Sequence, residues 1–132
     1  MNNSFRKEER LCLKRRFELL LREGKSFFLY PFRVIYLENA FQKDNFPAQV
    51  AFAVKKKQFR RAVWRNRIKR RCREAYRLNR HSLYENLDAG NRNLLILFVY
   101  SAETILRYEE IARKMIQILN RFKTSVENPA QP

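Results

Sequence analysis

With 132 residues, 45% hydrophobic content, 11 Phe and 6 Tyr, the chain can build a real core, which excludes a disordered basic tail. Its 29 Lys and Arg against 13 Asp and Glu leave a net charge of +16, an excess that points to a polyanionic partner. The longest apolar run, Leu94 to Tyr100, falls far short of the ~20 residues that span a bilayer, and MNNSFRKEER lacks the apolar core of a signal peptide; the expected location is the cytoplasm.

Composition and patterning predict a single domain over 1–132, with residues 1–10 and 123–132 as flexible ends. Leu13, Phe17, Leu20 and Leu21 fall on one helical face, so a first helix is expected over about 13 to 23, with Gly24 as a left-handed cap. From Phe27 to Glu38 the chain turns aromatic and β-branched. In FRVIYLE, residues Phe32, Val34 and Tyr36 alternate with Arg33, Ile35 and Leu37, the period of a strand. The turn-forming stretch NAFQKDNFP reads as a hairpin loop leading into a second strand, Ala48 to Lys55, with Val50, Phe52 and Val54 on one face and Ala51, Ala53 and Lys55 on the other.

A long helix is expected from about 60 to 79, burying only a stripe of Ile68, Cys72, Ala75, Tyr76 and Asn79. A polar loop with His81 and Gly90 follows, then LLILFVY, a continuous apolar run suited to a strand covered on both faces. Ile105, Tyr108, Ile111, Ala112, Met115, Ile118, Leu119 and Phe122 recur with helical period, with Ser101 and Glu103 as start signals. The expected fold class is α+β in one layer, in the order α-β-β-β-α-β-α, with about four strands and three helices. Cys12 and Cys72 are 60 residues apart and the only histidine is His81, which suggests neither a disulfide framework nor a zinc site.

The charge is concentrated. Residues 55–80 hold 13 Lys and Arg against the single acid Glu74, a net +12. Helices kept soluble by charge usually interleave both signs, and this one does not, so a phosphate backbone is its expected counterpart. Arg65, Lys69 and Arg73 line up one turn apart, flanked by Arg70 and Arg77. Asn66, between Arg65 and Arg67, adds an amide that donates and accepts; the bland alternative for it is a polar surface residue. WRNR superficially echoes a homeodomain recognition helix, but those domains are all-helical, and the strands on either side argue against that fold.

In its wider setting the motif is specific. AFAVKKKQFRRAVWRNRIKRRCREAYR resembles the signature of the bacterial ribonuclease P protein subunit, a Lys pair, an Arg-Asn-Arg triplet, Ile-Lys-Arg and Arg-Glu-Ala-aromatic-Arg. RLCLKRRFELLLREGKSFFLYPFRVIYLE is similar to that family's opening helix and first strands, so the resemblance covers about residues 5 to 122. Ala51 stands where the family usually has Gly, Arg71 and Cys72 replace a typically aliphatic pair, and Leu21 occupies a place often held by Phe.

The resemblance implies a ribosomal protein S5 domain 2-like fold with a left-handed βαβ crossover, contrary to the general right-handed rule. It implies an accessory subunit of an endoribonuclease, one protein per RNA, that assists removal of the 5′ leader from precursor tRNA. The catalytic groups and their magnesium are then expected on the RNA, with no cofactor on the protein. Carried over, the resemblance assigns Arg65, Asn66, Arg67, Lys69, Arg70 and Arg73 to the ribozyme RNA. It assigns a leader-binding cleft to Phe17, Phe32, Val34, Tyr36, Ala51, Ala53 and Lys55, with Lys56 and Lys57 at its edge. For Phe17 and Phe32 the alternative is plain core packing. Rival readings of the charge are a ribosomal or general RNA-binding protein with no role in cleavage, and an anionic-membrane binder, for which the basic helix has too little apolar surface to spare.

Overall fold

The computed structural model describes residues 10–11, 14–39 and 46–127, with side chains described as far as residue 123. Helix α1 spans Lys14–Glu23, strands β1 Lys25–Leu29 and β2 Phe32–Glu38 follow, then β3 Ala48–Val54, helices α2 Ala62–Asn79 and α3 His81–Ala89, strand β4 Leu94–Tyr100 and helix α4 Tyr108–Glu127. The expected order is present with one helix added.

The four strands form one mixed sheet in the order β1-β2-β4-β3. β1 and β2 are an antiparallel hairpin around Tyr30 and Pro31, β2 is antiparallel to β4, and β3 is parallel to β4 through α2 and α3. β2 and β3 therefore do not pair as the expected hairpin, because β4 lies between them; residues 40–45 lie outside the described residues. Period 2 identifies strands but not their neighbours, and the apolar run of β4 is what competes successfully for the centre, where both faces are covered. β4 is buried at every position except Val99.

Register decides which side chains share a face. Val34, Phe98 and Phe52 form one row across the sheet and Tyr36, Ile96 and Val50 the next. These rows meet α2, α3 and α4 in the main core, where Phe52 stacks on Phe98 with ring centroids 5.1 Å apart and Tyr76 meets Phe98 edge-on at 6.3 Å. Ile68, Cys72, Ala75 and Tyr76 of α2 are buried there, as the apolar stripe predicts. Asn79 bonds the Ala75 carbonyl at 2.7 Å instead of packing. On the opposite face α1 lays Leu20 and Phe17 over Leu95 and Leu97, beside Ile35, Leu37, Ala51 and Ala53.

Several local expectations change. Gly24 has no positive φ. A Cβ there would collide with the Leu20 carbonyl oxygen and crowd the Ile35 side chain at 3.1 Å, so the tight exit of the chain from α1 is what requires glycine. His81 opens α3 instead of sitting in a loop, and Leu83 and Leu87 bury that helix against the core. α4 begins at Tyr108, with Glu109 and Glu110 in its first turn, well after Ser101 and Glu103. The segment before it is organised by Tyr100, whose hydroxyl donates to the Thr104 carbonyl at 2.7 Å and accepts from the Leu106 N–H at 3.0 Å. At the ends, Arg10 bridges to Val50 on the outer edge of β3, and α4 stays helical to Glu127. Residues 1–9 and 128–132, and Cys12, lie outside the described residues.

Candidate nucleic-acid interface

α2 leaves the sheet through a turn, and that turn is built by two residues. Phe59 is buried, its ring 6.1 Å from that of Tyr100, and the Phe59 and Gln58 N–H groups both reach back to the Lys55 carbonyl. Arg65, one turn into α2, then donates Nη1 to the Phe59 carbonyl at 2.7 Å and to the Arg60 carbonyl at 2.8 Å. The N-cap residue Arg61 makes no side-chain cap bond, so this guanidinium does much of the ordering of the helix start. As a result Lys55, Lys56, Lys57, Arg60 and Arg61 all stand exposed on a fixed turn.

Beyond the turn, the side chains of Asn66, Lys69, Arg70 and Arg73 make no hydrogen bond or ion pair among the described residues, and Asn66, Arg70 and Arg73 are exposed. Arg67 is set over the Trp64 ring, 5.1 Å from its centroid, which holds the guanidinium outward. The six residues assigned to ribozyme RNA therefore lie along one helix, but Arg65 is already engaged with the backbone. The other cations of α2 are partnered: Arg71 donates to the Leu106 carbonyl at 2.6 Å, and Arg77 forms a two-pronged pair with Glu74 at 2.7 and 2.9 Å.

The expected leader cleft divides. Phe32 and Val34 are completely buried in the main core. Tyr36 packs edge-on against Phe27 and Phe122, with centroids 5.9 and 5.1 Å away, on that same face. None of the three shares a face with Ala53, so register corrects the expectation that grouped them with it. The residues level with Ala53 are Val99 on β4, Arg33 on β2 and Phe28 on β1. Arg33 and Phe28 are exposed, Phe28 at 58%, while Ala53 and Val99 are half-buried. Phe17 of α1 borders this face, and Lys55 to Lys57 continue directly from its β3 end.

Arg33 and Phe28 were legible as the other parity of FRVIYLE and KSFFL. The bulky set Phe32, Val34, Tyr36 and Phe52 against the small or charged set Arg33, Ala51 and Ala53 is a core-versus-surface alternation. Among the described residues no group of three His, Cys, Asp or Glu side chains comes together that could hold a metal ion. No helix of the described residues is long and apolar enough to cross a membrane.

Fold and surface define a small, strongly basic α+β protein in which a cationic turn joins an open sheet face to a cationic helix. The sequence matches the family model of ribonuclease P over residues 5–123. The ribonuclease P protein component of Porphyromonas gingivalis is 36% identical over 124 residues, covering 94% of this chain and 90% of that protein. That of Thermotoga maritima is 35% identical over 88 residues, covering 67% and 71%. Among solved structures, the ribonuclease P protein from Thermotoga maritima superposes with a TM-score of 0.64 at 26% identity, covering 86% of this chain and 96% of that one. The Staphylococcus aureus protein shares the fold, with a TM-score of 0.66 at 20% identity over 86% of this chain and 94% of its own. The chain belongs to the ribonuclease P protein family.

Proposed function

We propose that this chain binds the catalytic RNA of ribonuclease P through α2 and the 5′ leader of precursor tRNA through the α1-side face of the sheet, and so assists removal of the leader. The observation that carries this reading is the exposed cationic turn Lys55–Lys57, which links the open sheet row to the basic helix. Asn66, Arg67, Lys69, Arg70 and Arg73 meet ribozyme phosphates, and Arg65 acts first by holding the turn in shape. Phe28, Arg33, Val99 and Ala53, bordered by Phe17, receive leader nucleotides, with Lys55, Lys56 and Lys57 along the backbone. Stacking on Phe28 does not demand a particular base, which suits leaders of varied sequence.

Catalytic groups and magnesium belong to the RNA in this reading, and the protein's role is to hold two strands in register. One protein per RNA in the cytoplasm completes the picture. The test is affinity for precursor tRNA carrying leaders of increasing length against mature tRNA. Affinity that rises with the first few leader nucleotides supports leader contact, and equal affinity for all contradicts it, leaving a general RNA-binding role.

A further inference from the structure

The outer side of α2 and the start of α4 border an open cavity of about 380 Å³ lined by Arg70, Arg71, Arg73, Glu74, Arg77 and Tyr108. That volume lies within the usual range for small-ligand sites, on the order of 300–1,000 Å³. Its lining is not that of a simple phosphate site. Arg71 is fixed by the Leu106 carbonyl, and the Glu74–Arg77 fork presents a flat, charge-compensated surface. Glu74 is the one acid of the basic segment, and its carboxylate would repel a phosphate while accepting from an amino group. Tyr108 adds a half-buried ring, and burial, seconded by Glu74, raises its hydroxyl above the usual range. Arg70 and Arg73 supply the cations, and neither side chain has a hydrogen bond or ion pair among the described residues.

We propose that this cavity receives one unstacked nucleotide of the RNA partner, its base against Tyr108 and the Glu74–Arg77 pair and its flanking phosphates on Arg70 and Arg73. Proteins hold bases drawn out of a stack on aromatic rings and guanidinium planes, which this lining combines. Glu74 favours a base with an amino edge, so adenine and cytosine are preferred to uracil. The inference rests on the reading of the chain as an RNA-binding subunit, but it adds α4 to an interface otherwise confined to α2.

Two measurements on the full-length protein test it. In the first, AMP, UMP and ribose 5-phosphate are titrated separately while the Tyr108 ring and arginine side-chain NMR signals are followed. AMP shifts Tyr108 and Arg77, UMP does so more weakly, and ribose 5-phosphate moves only Arg70 and Arg73. A Tyr108 signal that ignores AMP, or responds equally to ribose 5-phosphate, overturns the proposal; so does saturation by AMP at micromolar concentration, which would assign the cavity to a free nucleotide. In the second, affinity for ribonuclease P RNA is measured with the thermal midpoint as a folding control. Tyr108→Leu lowers it about tenfold at unchanged salt dependence and Tyr108→Phe retains it, whereas unchanged affinity in Tyr108→Leu overturns the proposal. If the wild-type protein itself fails to bind that RNA, the functional reading falls, and the AMP titration alone decides whether the cavity takes a base.

Discussion

Arg33 and Ala53 stand level with one another across the sheet, each paired with Val99 from opposite sides. The residue next to Arg33, Val34, pairs with Phe98 in the row that faces the helices. This one-residue alternation decides which side chains a bound strand can touch. Phe28→Ala is expected to weaken binding of precursor tRNA by ~1–3 kcal/mol, the worth of one stacked base. Arg33→Ala is expected to weaken it with a salt dependence reduced by about one phosphate contact. Mature tRNA binds both variants as it does the wild type, and equilibrium titrations with the two RNAs separate the cases.

Tyr36 has a different fate. Its ring closes an aromatic cluster with Phe27 and Phe122 at the edge of the core. Tyr36→Ala therefore costs roughly 1–3 kcal/mol of stability by leaving a partial cavity, and any loss of RNA affinity is equal for precursor and mature tRNA. Urea unfolding alongside the same titrations checks this; a selective loss for the precursor would put Tyr36 in the leader site after all.

Arg65 and Arg67 separate by mechanism. Because Arg65 donates to two backbone carbonyls through Nη1, Arg65→Ala removes both bonds and lowers both RNA affinity and thermal midpoint. Arg67 rests on Trp64, so Arg67→Lys keeps its charge and leaves stability within ~0.5 kcal/mol. Paired melting curves and RNA titrations give the comparison.

The parts of this molecule that one stretch of sequence specifies were legible in advance. The stripe Ile68, Cys72, Ala75 and Tyr76 reports a helix docked on one face, and LLILFVY reports a strand covered on both. What depends on partners distant in sequence was not. No local pattern places β4 between β2 and β3, and without that register Phe32 and Ala53 look like neighbours. The aromatic residues drew attention as a stacking platform because they are aromatic, yet Phe32 is buried for the same reason, its large apolar area. Arg65 read as a phosphate clamp because its spacing matches the stripe. Its bonds to Phe59 and Arg60 come from the shape of a turn that spacing does not describe.

Buried acids of the neutral kind give the fold an alkaline limit. Burial pushes the Cys72 thiol from 9.0 up to about 12, partly offset by Arg73. Burial likewise raises the Tyr100 hydroxyl from 10.0 to about 12 against the Leu106 N–H bond, which lowers it. The folded state holds both groups neutral while the unfolded chain ionises them. Their stabilisation is therefore complete below about pH 9 and is lost as pH rises from there toward about 12. Urea midpoints should fall steadily above about pH 9, and the fall should be shallower in Cys72→Ala; a midpoint that holds constant over that span contradicts the assignment.

The central question for this molecule is whether its basic surface serves a catalytic RNA. The direct measurement is the rate of 5′ leader removal from precursor tRNA by a bacterial ribonuclease P RNA at low magnesium, with and without this protein. Acceleration by the wild type, lost with a combined Asn66, Arg67 and Arg70 alanine variant that still folds, is the result expected. No acceleration by the wild type, with the RNA shown active at high magnesium, would contradict it.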